Sequence, residues 1–87
     1  MKIETSKGKS LEIRMITAMN GGENVMLVIA DDRPMSEIAA DLEGCNTLTK
    51  TDANKQNVKE VYEGYTRIVS MQREKYSGMM RVILGNA

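Results

Sequence analysis

Residues 59–84, KEVYEGYTRIVSMQREKYSGMMRVIL, set the strongest constraint on how this chain folds. They read as one long strand, a polar turn over 73–77 and a returning strand, because β-branched and aromatic residues dominate the arms. On the return, Met80, Val82 and Leu84 fall on one side and Met79, Arg81 and Ile83 on the other. All three tyrosines (Tyr62, Tyr65 and Tyr76) lie in this stretch. Such a hairpin is the spine of an antiparallel sheet on which the rest must pack. Gly64 interrupts the long arm, and the apolar positions change phase around it, which predicts a bulge there or a strand buried on both faces.

The preceding residues supply the other elements. MKIET is a short strand, and Leu11, Ile13 and Met15 alternate with Glu12 and Arg14 as a second. A three-residue loop over Lys7, Gly8 and Lys9 would set Ile3 opposite Ile13 and Thr5 opposite Leu11, so a hairpin with a glycine bulge is expected. Asn20-Gly21-Gly22 is a turn. The run 25–30, VMLVIA, has no alternation, which fits a central strand covered on both faces. Asp31, Asp32 and Pro34 mark a helix start; Met35, Ile38, Ala39 and Leu42 form one apolar stripe; Gly44 is placed to end the helix. Residues 45–50 read as a weak strand, 51–57 as a polar loop, and the long strand begins near Val58.

These elements predict an α+β domain: a mainly antiparallel sheet of five to six strands with one short helix, 34–43, packed on it. At 87 residues a single domain, 1–87, is expected, and one of limited stability. The single cysteine, Cys45, allows no disulfide within the chain, and without histidine a Cys/His metal staple is unavailable. Association with other copies is the remaining common route to stability.

Lysine plus arginine balance aspartate plus glutamate at twelve each, which gives no electrostatic reason to expect nucleic acid or an anionic membrane. The charge is unevenly placed. Residues 1–20 carry a net +2, 21–45 a net −5 and 46–87 a net +3, so an acidic middle between basic ends can pair internally or between copies. The longest apolar run is six residues, and no leader is recognised, so a soluble protein of the cytoplasm is expected.

Candidate chemistry is sparse. Without histidine, the usual general base and any Ser-His or Cys-His nucleophile are missing. Cys45 follows a helix C-terminus, where the dipole disfavours a thiolate, and reads as a small buried hydrophobe. Asp31 and Asp32 could form a carboxylate pair, but their place before Pro34 accounts for them as helix-start residues. Asn20-Gly21-Gly22 lacks the lysine of a phosphate loop. The tyrosines stand among Lys59, Arg67, Arg73, Lys75 and Arg81, as on sheets that stack single-stranded bases, yet Glu60, Glu63 and Glu74 interrupt the patch. No catalytic residue, cofactor, metal or small-molecule substrate is expected. The eight methionines suit an irregular core or an adaptable contact surface.

The order of features, from Lys7-Gly8-Lys9 through Gly44 and Thr47-Leu48-Thr49 to Tyr62-Glu63-Gly64-Tyr65-Thr66 and Val82-Ile83-Leu84, resembles small uncharacterised prophage proteins of Gram-positive bacteria, commonly encoded among tail-morphogenesis genes. The resemblance covers most of the chain, rests on pattern, and carries over no catalytic residue. It implies a non-catalytic structural, assembly or protein-interaction protein, cytoplasmic or virion-associated, whose partners are itself or phage tail proteins. The alternative is a small cytoplasmic module acting on a host protein or nucleic acid. The interaction surface is expected around Tyr62, Gly64, Tyr65, Met79 and Met80.

Overall fold

The computed structural model describes residues 1–51 and 59–86. The expected loop over 51–57 and the strand start at Val58 therefore lie outside the described residues, apart from Thr51. The elements in chain order are β1 (Lys2–Thr5), β2 (Ser10–Met19), β3 (Asn24–Ile29), α1 (Met35–Leu42), β4 (Thr47–Thr51), β5 (Lys59–Glu63), β6 (Arg67–Arg73) and β7 (Met80–Gly85). The strands form one sheet in the order β5-β4-β1-β2-β3-β7-β6, antiparallel at every pairing. Among the described residues the α+β class and the single α-helix agree with the sequence, and the strands number seven, not five or six.

The extra strand comes from Gly64. The expected long strand is two strands, β5 and β6, which occupy the two opposite edges of the sheet. In a flat sheet seven strands ~4.8 Å apart would separate those edges by roughly 29 Å. Only Gly64, Tyr65 and Thr66 join them, and the four Cα steps from Glu63 to Arg67 reach at most about 15 Å. The sheet must therefore curl until its edges approach. Gly64 makes the turn at φ +87°, a conformation that strains residues with a Cβ. Its N–H donates to the Asn46 carbonyl (2.8 Å), and the Thr66 carbonyl accepts from Gly44 N–H (3.0 Å).

The core fills the concave side of this curl. Ile3 on β1, Leu11, Ile13 and Ile16 on β2, Val25, Leu27 and Ile29 on β3, Leu48 on β4 and Met80, Val82 and Leu84 on β7 are all buried. The α1 helix lies across it, with Ile38 and Leu42 fully enclosed. Arg73 at the end of β6 donates to the Arg33 carbonyl ahead of the helix, while Gly44 beyond the helix bonds Thr66 ahead of β6. The helix thus runs antiparallel to β6. Lys7 Nζ donates to the Ala40 carbonyl and ties the helix to the β1–β2 turn. Cys45 is buried, its thiol donating to the Asp41 carbonyl, in keeping with a packing role.

Two registers differ from those expected. The β1–β2 pairing is Ile3 with Leu11, not Ile13. The loop has three residues and a left-handed glycine as predicted, but it is Ser6-Lys7-Gly8, one position earlier. Buried Thr5 accounts for the shift, because its hydroxyl accepts the N–H groups of Lys7 and Lys9, and burying it without partners would be costly. In β2 a bulge between Ile13 and Met15 inserts one residue, so Ile16 turns inward. Met15, expected to share a face with Leu11 and Ile13, is instead 40% exposed on the convex side.

The run 25–30 does form an interior strand, flanked by β2 and β7. It is not covered on both faces. Val25, Leu27 and Ile29 are in the core, whereas Met26 and Val28 on the convex face stay half-buried, with no second layer over them among the described residues.

Candidate functional site

The five residues expected to form an interaction surface do not sit together. Gly64 and Tyr65 lie in the edge crossing that leads into β6, with Tyr62 just before it, while Met79 and Met80 lie beside the other end of β6. Six residue steps of β6 separate the two groups, about 20 Å at ~3.3 Å per residue. Met80 is fully enclosed and belongs to the core, so it cannot serve as a contact residue; Met79 is half-buried. Tyr65 packs against the core and donates its hydroxyl to the Gly22 carbonyl, which ties the crossing to the β2–β3 turn. Tyr76, 96% exposed at the tip of the β6–β7 turn, is the freest of the three tyrosines.

Tyr62 is level with Leu48 in the β4–β5 ladder and also packs on the core. Its hydroxyl donates to Glu60 (2.8 Å), whose carboxylate also takes Lys50 Nζ at 3.3 Å. Burial, followed by the bond to the Glu60 carboxylate and its charge, pushes the Tyr62 phenol up to about 12 from an ordinary 10.0. A phenol raised in the folded state contributes stability that is present below pH 10 and lost as pH rises through about 12. Spectrophotometric titration of tyrosinate should show a late step near pH 12 that is missing in Tyr62→Phe. An unchanged titration curve in that variant would sink the assignment.

The convex face of β2, β3, β7 and β6 offers a more coherent surface. Cross-strand register sets Met15 beside Val28, Thr17 beside Met26, and Met26 beside Ile83. A second irregularity, between Ile68 and Ser70, turns Ile68 and Met71 toward the core and leaves Val69 47% exposed. Methionine and β-branched side chains thus form a stripe across the middle of the sheet on which no described residue packs as a second layer. An uncovered stripe of this kind marks contact sites more often than scattered apolar residues do.

Charged groups flank the stripe. At one end Arg81 is paired with Glu74. At the other, Arg67, Gly85 and Asn24 stand in one row across β6, β7 and β3. The Arg67 guanidinium lies over Gly85, so close that a Cβ there would sit 3.1 Å from Nη2 and 3.0 Å from Val69 Cγ2. The glycine therefore makes room for the arginine. Arg67, Asn24, Asn86 and Glu23 line an open cleft of about 290 Å³. Among the described residues, neither Arg67 nor Arg14 takes part in an ion pair.

Family models, curated proteins and solved structures give no match to this chain. Its function is therefore read from these surfaces and from their chemistry. From sequence, Arg67 stood only among the bases around the tyrosines and the stripe was not visible, because each surface depends on strands distant in the chain; only the unexplained methionines pointed that way. One of the two helix-start acids has a structural use. Asp31 accepts the Arg33 N–H and pairs with its guanidinium at 3.0 Å, as does Asp41 at 3.0 Å. Among the described residues no helix is long and apolar enough to cross a membrane.

Proposed function

We propose that this chain is a non-catalytic protein-interaction component of a prophage, acting in particle assembly in the tail region. The observation that carries the reading is the convex stripe of Met15, Met26, Val28 and Ile83, uncovered among the described residues and flanked at one end by Arg67, which takes part in no ion pair among them. A surface of flexible methionines suits repacking against a protein partner. The phage assignment is supported by the sequence pattern around Tyr62-Glu63-Gly64-Tyr65-Thr66 that resembles small prophage tail-region proteins. Its place would be the bacterial cytoplasm during assembly, or the particle itself.

The test is made in the strain that carries the gene. After prophage induction, mass spectrometry of gradient-purified particles and tail intermediates is expected to find the chain in the tail fractions, or its deletion to leave tails incomplete. Normal yields of complete particles after deletion, with the chain recovered only as free protein, would remove this reading.

A further inference from the structure

The two edges of the sheet are left in different states. At β6 both ends are engaged, since the Thr66 carbonyl accepts from Gly44 and Arg73 donates to the Arg33 carbonyl. A register shift between Ile68 and Ser70 also breaks the regular spacing of that edge. β5 is regular, pairs only with β4 among the described residues, and has Lys59, Glu60, Val61 and Glu63 exposed. The direction of its backbone groups follows from the ladder. Gly64 N–H donates to the Asn46 carbonyl, one step beyond the Glu63–Thr47 pair, so Tyr62 and Glu60 also turn their N–H and C=O groups to β4. Ser6 N–H donates to the Thr47 carbonyl from the other side of β4, which sets the same alternation. The N–H and C=O groups of Lys59, Val61 and Glu63 therefore point away from the sheet. Their side chains share the convex face, because Tyr62 between them packs on the core. Neither Lys59 nor Glu63 takes part in an ion pair among the described residues.

We propose that two copies of the chain pair through β5, antiparallel about a twofold axis at Val61, so that their sheets join edge to edge. In that register Lys59 of each copy lies opposite Glu63 of the other, and the two Val61 side chains, 53% exposed in the single chain, meet between them. The outward N–H and C=O groups of Lys59, Val61 and Glu63 then bond across the axis. Charges on an edge strand ordinarily deter pairing. Here the twofold brings unlike charges together, so they select the register instead. Centring the axis on Glu60 would set two carboxylates opposite each other, and β6 paired with itself about Ser70 would set Arg67 opposite Arg73. The contact is isologous and closes at two copies. Five residues a side is far fewer than the roughly 20–30 of a stable interface, so the dimer is weak and forms at high protein concentration. The inference rests on this edge and not on the convex stripe, so it can fail while the particle reading stands.

The experiment uses the purified chain and two charge reversals at exposed positions, Lys59→Glu and Glu63→Lys. Unchanged circular dichroism and urea midpoints at low concentration serve as the check that both fold. In sedimentation equilibrium the wild type is expected to pass from monomer to dimer with concentration and to stop there. Each single variant is expected to lose about tenfold in association constant, because the twofold turns both unlike pairs into like ones. The double variant carrying both reversals, which restores unlike pairs at the wild-type net charge, should dimerise like the wild type. An equimolar mixture of the two single variants should form a heterodimer for the same reason. Hydrogen exchange locates the contact: the Val61 amide, open in the monomer, should slow as the dimer forms. A wild type that stays monomeric at every concentration overturns the β5 pairing. So does a dimer whose Val61 amide exchanges as in the monomer, or a double variant no better than the single ones.

Discussion

Leu27→Ala is expected to lower the unfolding free energy by about 3 kcal/mol, within the range for leucine truncation in a packed core. Leu27 is fully buried near the middle of β3, with Ile16 and Val82 as its cross-strand partners. The substitution removes the isobutyl group's transfer free energy and leaves a hole that flanking strands fill only partly, since both are held by ladder bonds. A small domain has a total stability of roughly 5–15 kcal/mol, so the loss is a large share. With a urea slope of about 1 kcal/mol/M, the midpoint should fall by about 3 M. Val61→Ala provides the contrast: Val61 is 53% exposed on edge strand β5, and its truncation should change stability by less than about 0.5 kcal/mol. Equal effects from the two substitutions would mean that β3 is not at the centre of the core.

Gly64→Val is expected to lower stability by about 1–3 kcal/mol through backbone strain at φ +87°. The effect should exceed that of Gly8→Val, although Gly8 has a similar φ of +79°, because a Cβ at Gly8 meets nothing within 4 Å. At Gly64 a Cβ would lie 3.3 Å from Asn86 Oδ1, and the residue's N–H is bonded to Asn46. Gly64→Asn should be milder than valine, since asparagine enters the left-handed region more readily. Hydrogen exchange gives a local readout: the Gly44 amide, which donates to Thr66 at the crossing, should lose protection in Gly64→Val at denaturant concentrations where β3 amides remain protected. Undiminished protection of Gly44 would show that the two sheet edges do not depend on this turn.

Much of the fold was legible because its signals are local. The stripe of Ile38 and Leu42, the glycine after the helix and the alternation of Met80, Val82 and Leu84 each follow from periodicity, and the structure agrees. What was missed is non-local. The regular Leu11, Ile13, Met15 spacing gives no hint of the bulge, which is set by how β2 meets β3. A glycine amid strand residues looks the same from sequence whether it bulges a strand or, like Gly64, sends the chain to the other edge of a curled sheet. The expected surface failed for the same reason. Its residues were chosen for their chemistry, while pairing between distant strands placed Met80 inside and set Met15, Met26 and Ile83 side by side outside.

The pairing of β3 with β7 also sets a schedule for the chain as it is made. Ile29 meets Met80 and Asn24 meets Gly85, partners about fifty to sixty residues apart. At about 5–20 residues per second on the ribosome, β3 waits roughly 3–12 seconds for that neighbour. During that wait the β2–β3 hairpin can form, but the other edge of an apolar, β-rich hexapeptide stays open to neighbouring nascent chains. The most vulnerable moment for this protein thus comes before the last strand emerges, and whatever shields β3 then governs how much chain reaches the folded state.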